Sequence, residues 1–303
     1  MTFSIVVPAY NESGDIRATC EALLRLTPQP EVIVIDDGST DDTAAIVRQY
    51  LTRPSVTLIQ QPSNRGQGVA RNVGVRAATG DVVVFVDADV RLPPDFLERL
   101  APHYERGADY VEVTSDVSNT ESVCARYIYA QQRQMHGDAA SVGWSQAFSC
   151  RRALALDAGL FPEAFPTVGE DGEFVRRLER RSPRRTVDKS IVVSHTVPGT
   201  PGGFWRLWHG RGIALPFFRR QTQHVGWTRL VAGRLAATLW SLLRIVTVVP
   251  VVRDAALLAA RSGRRWRDFP PFAALRLVQL VAYRSGEWRG LRRLWASRSA
   301  GAR

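Results

Sequence analysis

Two carboxylates, Asp87 and Asp89, directly follow an apolar run in the stretch GDVVVFVDADVRLPPD. The run, Val82 to Val86, is rich in β-branched residues, which is typical of a strand buried on both faces. Unpaired carboxylates are costly to bury, so the pattern predicts a positive partner beside them. A divalent cation, Mg²⁺ or Mn²⁺, with a bound diphosphate would supply that charge, because both metals prefer oxygen ligands.

Polar residues also follow two other apolar runs of the chain. The run that starts at Phe3 ends in PAYNE, and the run that starts at Glu31 ends in DDGST. Either ending alone could be an ordinary turn, since Asp and Gly are common after strands. The three endings together predict one ligand-binding crevice at the carboxyl ends of neighbouring strands.

The elements that must position these residues alternate along the chain. Helical segments of about a dozen residues separate the apolar runs, which predicts right-handed βαβ units and a parallel sheet. We expect the first helix to follow NES, with Asn11 or Ser13 as its N-cap. A second helix is expected to begin near Asp41, where an acidic residue suits the helix N-terminus.

Four segments occur in the order and spacing of a known family: IVVPAYNE, VIVIDDGSTDDT, NRGQGVARNVGVRAATGDVVVFVDADV and GEDGEFVRRL. Over residues 1–200 the chain resembles glycosyltransferase family 2, the GT-A fold enzymes that use nucleotide-sugars. The resemblance implies an α/β, Rossmann-like fold with a mixed, mostly parallel sheet flanked by helices. It also implies catalysis with Mn²⁺ or Mg²⁺.

The resemblance assigns roles to residues at the strand ends. Asp36 or Asp37 would read the base or ribose, and Arg65 and Gly66 would lie beside the base. The full set expected to line the nucleotide-sugar site is Pro8, Tyr10, Glu12, Asp36, Asp37, Arg65, Gly66 and Asp87. Asp87 would contact the ribose or the metal, and Asp89 would bind the metal. A ribose hydroxyl is a good donor to a carboxylate, so these roles agree with the residue types.

A sugar acceptor also needs a base to remove its hydroxyl proton. The stretch GEDGEFVRRL places Glu170 and Asp171 just before a predicted helix. By resemblance Asp171 is the base of an inverting, single-displacement reaction and Glu170 supports it; alternatively, the two acids only cap the helix. Upstream, the family often has Gly-Gly and Asn where this chain has GWSQAF, residues 143–148, so the donor sugar stays open.

Two residues nearer the C-terminus could complete the site. His195 closes the strand-like RTVDKSIVVSHTV and resembles the third metal ligand of many GT-A enzymes; local hydrogen bonds are the alternative explanation. Arg211 in WHGRGIALP could contact the diphosphate from a mobile loop, or it could be an ordinary surface arginine. The chain lacks the QxxRW pattern of processive synthases, which favours addition of one or a few sugars.

Charge divides the chain into two regions. Residues 1–200 carry a net charge of −5, whereas residues 201–303 carry +16 and seven of the eight tryptophans. The stretch from Leu235 to Val252 is apolar apart from Arg244 and long enough to span a bilayer. Arg229, Arg234, Arg244 and Arg253, in and around this stretch, share no helical face, and Pro250 could break it. The stretch is therefore neither a clean span nor a clean amphipathic helix. The stretch PPFAALRLVQLVAY predicts a second apolar helix packed against it.

We therefore expect a GT-A domain over residues 1–200 and an Arg- and Trp-rich helical region over residues 201–303 that docks on the membrane surface. A soluble helical subdomain or a dimer surface is the main alternative. Nucleic-acid binding is disfavoured because the arginines interrupt aliphatic runs instead of forming a polar face.

Three widely spaced cysteines indicate reduced thiols, and the N-terminus lacks the basic segment of a signal peptide, so we expect a cytoplasmic enzyme at the inner face of the cell membrane. The expected activity is the metal-dependent, inverting transfer of a sugar from a nucleotide-sugar, with UDP favoured over GDP, to a hydroxyl of a saccharide or lipid-linked acceptor. The expected setting is cell-surface polysaccharide or glycolipid synthesis. The alternatives are a polyprenyl-phosphate glycosyltransferase and a non-catalytic nucleotide-sugar or membrane-binding protein.

Overall fold

The computed structural model describes residues 1–136, 141–142, 146–163 and 169–300. Its strands are β1 (Phe3–Ala9), β2 (Glu31–Asp36), β3 (Val56–Gln60), β4 (Val82–Phe85), β5 (Val90–Arg91), β6 (Tyr110–Val117), β7 (Ser141–Val142), β8 (Phe148–Arg151) and β9 (Arg185–His195). Its helices are α1 (Ile16–Leu23), α2 (Thr43–Arg48), α3 (Gln67–Ala77), α4 (Phe96–Glu105), α5 (Val123–His136), α6 (Arg152–Asp157), α7 (Glu170–Arg181), α8 (Pro201–Gln221), α9 (Trp227–Thr247), α10 (Val249–Arg261) and α11 (Phe269–Ala300), with a 3₁₀ turn at Arg265–Arg267. These elements form two compact units.

The first unit comprises residues 1–118, 141–142, 146–163 and 170–196 and is built on one sheet. The strand order is β3-β2-β1-β4-β8-β6-β9-β5, with β7 paired to β6. The half formed by β3, β2, β1 and β4 is parallel, as is the β6–β9 pair, whereas β8 runs antiparallel to β4 and β6. The structure thus confirms the expected α/β fold with a mixed sheet.

Helices cover both faces of this sheet. Val7, Val34 and Val84 pack into a cluster with residues of α1 and α4. The alternate residues of the same strands, such as Val6 and Val83, pack into a second cluster with residues of α3 and α7. Because consecutive side chains of a strand point to opposite faces, this explains why the strands read as unbroken apolar runs.

The start of the first helix differs from the sequence-based expectation. The N-cap of α1 is Asp15, so the expectation that Asn11 or Ser13 caps it is wrong. Asn11 has a positive φ of 56°, and its side-chain oxygen accepts a hydrogen bond of 2.8 Å from the backbone N–H of Thr40. Its amide is therefore used to hold the loop after β2.

The second unit, which contains α5 and α8–α11, is helical. Its core includes the ring of Tyr127, which lies edge-on to Phe204 and Phe272 at centroid distances of 5.4 and 5.1 Å. The stretch PPFAALRLVQLVAY is the first half of α11, a helix that packs against α10 and also contacts α9. Because the apolar stretch of residues 235–252 forms the second half of α9 and the start of α10, packing against that stretch is as expected.

The long apolar stretch of this unit is broken, as its proline predicts. Helix α9 ends at Thr247, Val248 has a φ of 59°, and Pro250 lies in the first turn of α10. In the described part of the chain, α9 is the one helix that is long and apolar enough to cross a membrane, with a mean hydropathy of 1.4. Only 17% of that window is buried, so its side chains are mostly exposed.

Candidate active site

Strands β2, β1 and β4 are neighbours, so their carboxyl ends meet at one edge of the sheet. Tyr10 and Glu12 follow β1, Asp36 and Asp37 lie at the end of β2, and Asp87 and Asp89 follow β4. The electrostatic influence of Asp87 reaches Glu12, Asp89 and His195. The structure therefore brings the acidic residues of the first and fourth strand ends together with His195.

A buried arginine supplies the positive partner of Asp87. Arg71, on α3, is fully buried, and its two terminal nitrogens donate to Asp87 Oδ1 at 2.7 Å and to Glu170 Oε1 at 2.8 Å. Burial alone would lower the pKa of Arg71, but the two carboxylates raise it, so the guanidinium stays charged. Burial raises the pKa of Glu170, and Arg71 opposes that rise.

Sequence reasoning missed Arg71. The available signal was a single arginine among the small and apolar residues of GVARNVGV. Such a composition is typical of a buried helix face, where an arginine is unusual. Its two carboxylate partners lie 16 and 99 residues away along the chain, so the bridge itself has no sequence signature.

Asp37 holds the loop that begins α3. Its carboxylate accepts hydrogen bonds from the backbone N–H groups of Arg65 at 2.9 Å and Gly66 at 2.8 Å. Burial raises the pKa of Asp37, although these two hydrogen bonds oppose the rise. Gly66 has a φ of 94°, a conformation that residues with a side chain rarely adopt. Asp37, Arg65 and Gly66 thus meet in one loop, with the Arg65 side chain exposed.

The neighbouring Asp36 has a different set of partners. Its carboxylate accepts from the backbone N–H of Ser39 at 3.0 Å and from the side-chain amide of Gln60 at 2.9 Å. Asp36 is buried, so these bonds satisfy a carboxylate that would otherwise be costly to bury. Both acids of the DDGS segment are therefore hydrogen-bonded within the protein.

Two carboxylates beside Asp87 have a raised pKa. Burial, and to a smaller extent repulsion from Asp87 and Glu12, raises the pKa of Asp89 to about 8. Burial, and to a smaller extent repulsion from Asp15 and Asp87, raises the pKa of Glu12 to about 7. Neither residue forms an ion pair within the described part of the chain. The crevice thus holds more carboxyl groups than Arg71 can balance, and a bound cation would favour their ionised form.

His195, the last residue of β9, lies opposite Val90 of β5 in an antiparallel pair. It is 2% exposed; its Nδ1 lies 2.7 Å from the hydroxyl of Ser115, and its Nε2 has no partner among the described residues. Burial lowers the pKa of His195, which favours the neutral imidazole that binds metals.

The donor types of this crevice, carboxylate oxygens and an unpaired imidazole nitrogen, suit Mn²⁺, and the oxygens suit Mg²⁺. Over residues 1–136, 141–142, 146–163 and 169–300, no three His, Cys, Asp or Glu side chains are already grouped closely enough to hold a metal ion. Mg²⁺ is usually held by one or two carboxylates plus the phosphates of a substrate, so such a site needs no third preassembled ligand. The residues present therefore fit a cation that arrives with a diphosphate.

Three other residues expected in the site, Asp171, Tyr10 and Pro8, differ in how exposed they are. Asp171 lies in the first turn of α7 beside Glu170, partly exposed, and its Oδ1 accepts from the backbone N–H of Gly172 at 2.8 Å. Tyr10 is 43% exposed at the crevice edge, whereas Pro8 is buried within β1. Of the GWSQAF segment, residues 143–145 lie outside the described residues.

Arg211 does not lie in a loop, contrary to expectation. It belongs to the second unit, within α8, and its guanidinium carbon lies 4.7 Å from the centroid of a Trp208 ring. The loop expectation failed because the helix continues through the glycines and Pro216 of this segment. The predicted contact of Arg211 with a diphosphate stays a prediction.

Comparison with known proteins assigns the family. Residues 4–149 match the model of glycosyl transferase family 2, and residues 82–282 match that of glycosyl transferase family group 2. The chain belongs to glycosyltransferase family 2, and it is a glycosyltransferase.

Three curated relatives illustrate the range of the family. An uncharacterized glycosyltransferase YibD of Escherichia coli is 42% identical over 32% of this chain. An undecaprenyl-phosphate 4-deoxy-4-formamido-L-arabinose transferase of Pseudomonas savastanoi is 38% identical over 36% of the chain. The chain spans only 28% and 34% of the lengths of these two proteins. The succinoglycan biosynthesis protein ExoA of Rhizobium meliloti is 30% identical, and the alignment covers 95% of this chain and 94% of that protein.

Solved structures support the fold. A mannosyltransferase of Pyrobaculum calidifontis in complex with GDP-Man and Mn²⁺ aligns with a TM-score of 0.61 and 19% identity, covering 94% of this chain and 86% of the other. TarS of S. aureus in complex with UDP-GlcNAc aligns with a TM-score of 0.56 and 20% identity, covering 95% and 90%. At these identities the likeness establishes the GT-A fold alone.

Proposed function

We propose that this glycosyltransferase moves a sugar from a nucleotide-sugar, with UDP as the favoured carrier, to an acceptor hydroxyl in a metal-dependent, inverting reaction. One observation carries the proposal. Glu12, Asp87 and Asp89 crowd the carboxyl ends of two adjacent parallel strands, near the unpaired Nε2 of His195. Such a crowd of carboxyl groups and lone pairs favours a bound cation, which would replace the protons that the raised pKa values imply.

The residues of the donor crevice have separate roles in this proposal. Asp89 and His195 hold the cation, and Asp87, oriented by Arg71, accepts a hydrogen bond from the ribose or joins the metal ligands. Asp37 orders the loop of Arg65 and Gly66 against the base. When bound, the cation would neutralise charge on the departing nucleoside diphosphate.

The acceptor side of the reaction depends on α7. Asp171, in the first turn of this helix, takes the proton of the attacking hydroxyl. Glu170, fixed by Arg71 at 2.8 Å, holds the start of the helix against the end of β4 and so supports the base. Only one displacement occurs, so the configuration at the anomeric carbon inverts.

The biological setting is proposed from two observations. The relative aligned over 95% of the chain is a succinoglycan biosynthesis protein, which favours polysaccharide or glycolipid synthesis. The exposed apolar helix α9 and the +16 charge of residues 201–303 favour peripheral association with the anionic inner face of the cell membrane. Residues 1–200 and 201–303 would then divide catalysis and docking between them.

The test is calorimetric titration of the full chain with UDP and with GDP, each with and without Mn²⁺. We expect one nucleotide to bind in a metal-dependent manner, and Asp89→Ala to weaken that binding by about tenfold or more, because a lost metal ligand costs at least this much. Asp157→Ala, which removes an exposed carboxylate on α6, is the matched control and should bind normally. Equal binding with and without metal would contradict the proposal.

A second candidate is transfer to a polyprenyl phosphate, favoured by the relatives with that activity in their names. A phosphate oxygen already carries negative charge and needs no base, so the two candidates differ at Asp171. If the acceptor is a hydroxyl, Asp171→Asn should lower turnover by about 10²–10⁴-fold while donor binding stays intact. Retained turnover in Asp171→Asn favours the phosphate acceptor, with Glu179→Gln on the same helix as the control.

A further inference from the structure

The second unit contains a cavity of about 270 Å³ that the proposed sugar transfer does not use. Helices α8, α9 and α11 contribute its lining, which consists of Trp208, Arg244, Arg276, Gln279, Leu280, Tyr283 and Arg284. A water molecule occupies about 30 Å³ of liquid, so the cavity has room for a group several times that size.

The cavity has more positive than negative charge around it. Arg244 and Arg276 share one carboxylate, Asp254, to which Arg276 donates at 2.8 Å. Arg284 shares a second carboxylate, Glu287, with the buried Arg234. The exposed Arg253 also contacts Asp254, at 3.8 Å, so five guanidinium groups divide two carboxylates, which orient the arginines and leave an excess of positive charge.

Two buried donors at this cavity have no hydrogen-bond acceptor in the described part of the chain. They are the indole Nε1 of Trp208, a side chain 7% exposed, and Nε of Arg276. The side-chain oxygen of Gln279 is already used, because it accepts from Tyr127 and Arg276. Buried donors without partners are rare in folded proteins, and both of these belong to lining residues of the cavity; because both atoms are shielded from solvent, a ligand would reach them only after a shift of the side chains.

An exposed apolar face lies on one of the helices that form the cavity. In α9, Leu239, Trp240, Leu243 and Val246 are 67%, 59%, 51% and 78% exposed. Arg244 belongs to the same turns but lines the cavity instead. A ligand with a phosphate group and hydrocarbon chains matches both features, since the phosphate accepts hydrogen bonds and the chains cover the apolar face.

We propose that the cavity binds the phosphomonoester headgroup of a membrane lipid while the exposed face of α9 lies among the lipid chains. A phosphomonoester carries nearly two negative charges at neutral pH, which the excess positive charge of the arginine cluster can balance. A phosphodiester carries one charge and fewer free oxygens, so it fits less well. The inference rests on the proposed membrane association but not on the donor chemistry.

The test compares vesicles of phosphatidylcholine that contain phosphatidic acid, a phosphomonoester, or phosphatidylglycerol, a phosphodiester. The two sets are matched in surface potential, and binding of the full chain is measured by co-sedimentation. We expect about tenfold tighter binding to phosphatidic acid, because its headgroup can accept one more charge-assisted hydrogen bond. Arg276→Gln should abolish this preference, whereas Arg292→Gln, an exposed arginine on the same helix, should keep it.

Two further measurements separate the outcomes. Titration with inorganic pyrophosphate tests the cavity without a membrane. If the unmodified chain binds pyrophosphate, Arg276→Gln loses that binding, and the unmodified chain shows no preference between the two vesicle types, the site binds a free phosphate and the lipid proposal is overturned. Equal binding to both vesicle types, or equal loss in both variants, would also overturn it. Failure to bind any vesicle would refute the membrane association as well.

Two variants keep the result interpretable. If Arg276→Gln does not fold, Trp208→Phe removes one unpaired donor without changing charge and should still weaken the phosphatidic acid preference. Asp89→Ala, in the first unit, should keep the lipid preference while losing nucleotide binding. Failure of the donor proposal and failure of the lipid proposal are therefore distinguishable.

Discussion

Arg71 is the residue on which the geometry of the candidate site depends. It is fully buried, and it joins the end of β4 to the start of α7 through Asp87 and Glu170. A buried charge of this kind is tolerated only when partners satisfy it, and a guanidinium can bind two carboxylates at a fixed angle. Arg71 therefore positions Asp87 and Glu170 without needing to touch the substrate itself.

Arg71→Lys should separate charge from geometry. Lysine keeps the positive charge but cannot reach both carboxylates with a planar fork, so one of them loses its partner. We expect stability to fall by about 1–3 kcal/mol and turnover to fall by about 10²-fold. Thermal unfolding and a transfer assay check these values, with Arg76→Lys, an exposed arginine on the same helix, as the control. An unchanged kcat in Arg71→Lys would refute the positioning role.

The sequence was sufficient to place some of these residues but not to pair them. Asp87 and Asp89 could be assigned to a strand end because an unbroken apolar run precedes them. Arg71 is a positive partner of Asp87 that was not predicted, because the two residues lie on different elements and no local pattern pairs them. The expectation that Asp87 also contacts a metal stays a prediction. For Asp89 the expectation of an external cation stays a prediction, and its raised pKa supports it.

Among the elements, α8 and α11 form an unusually close helix pair within the second unit. A Cβ atom added to Gly212 would lie 2.2 Å from the carbonyl oxygen of Tyr283. Added to Gly286 or Gly290, it would lie 2.1 Å from the carbonyl of His209 or 2.2 Å from that of Ile213. The backbones of the two helices are in contact at three glycines, so no larger residue fits there.

The glycines of α8 and α11 also mark a limit of sequence analysis. The break of the apolar stretch before α10 could be predicted, because Pro250 cannot continue a helix and the rule is local. The close packing of α8 on α11 could not, because Gly212 and Gly286 are far apart in sequence and each alone reads as a weak point of its helix.

Gly286→Ala should therefore destabilise the second unit. The added methyl group meets a backbone carbonyl that cannot rotate away, so we expect a loss of about 1–3 kcal/mol or more. Gly210→Ala is the matched control, because a Cβ there meets no heavy atom within 4 Å. That variant should gain stability, by up to about 1 kcal/mol, since alanine favours a helix more than glycine does. Urea unfolding of both variants checks the prediction, and equal effects of the two substitutions would contradict it.

At the scale of the whole molecule, charge and apolar exposure are concentrated in the same part of the chain. Residues 201–303 carry +16, whereas residues 1–200 carry −5, and the most exposed part of α9 is apolar. Helix α5 packs with α10 and α11 in the second unit, so a chain cut at residue 200 would expose apolar residues of α5 such as Tyr127. Substitutions in the full chain are therefore the better test of membrane association.

Membrane association should then have two separable components. Binding to vesicles that contain phosphatidylglycerol should weaken as salt rises from about 0.1 M to 1 M, because the screening length falls from about 10 Å to 3 Å. Leu239→Gln should weaken binding at every salt concentration, because it removes apolar surface that is 67% exposed on α9. Leu51→Gln, at a leucine 43% exposed in the first unit, should bind like the unmodified chain. If salt abolishes binding completely and Leu239→Gln has no effect, the attraction is purely electrostatic and α9 does not enter the lipid. If Leu51→Gln weakens binding as much as Leu239→Gln does, the docking surface is not confined to the second unit.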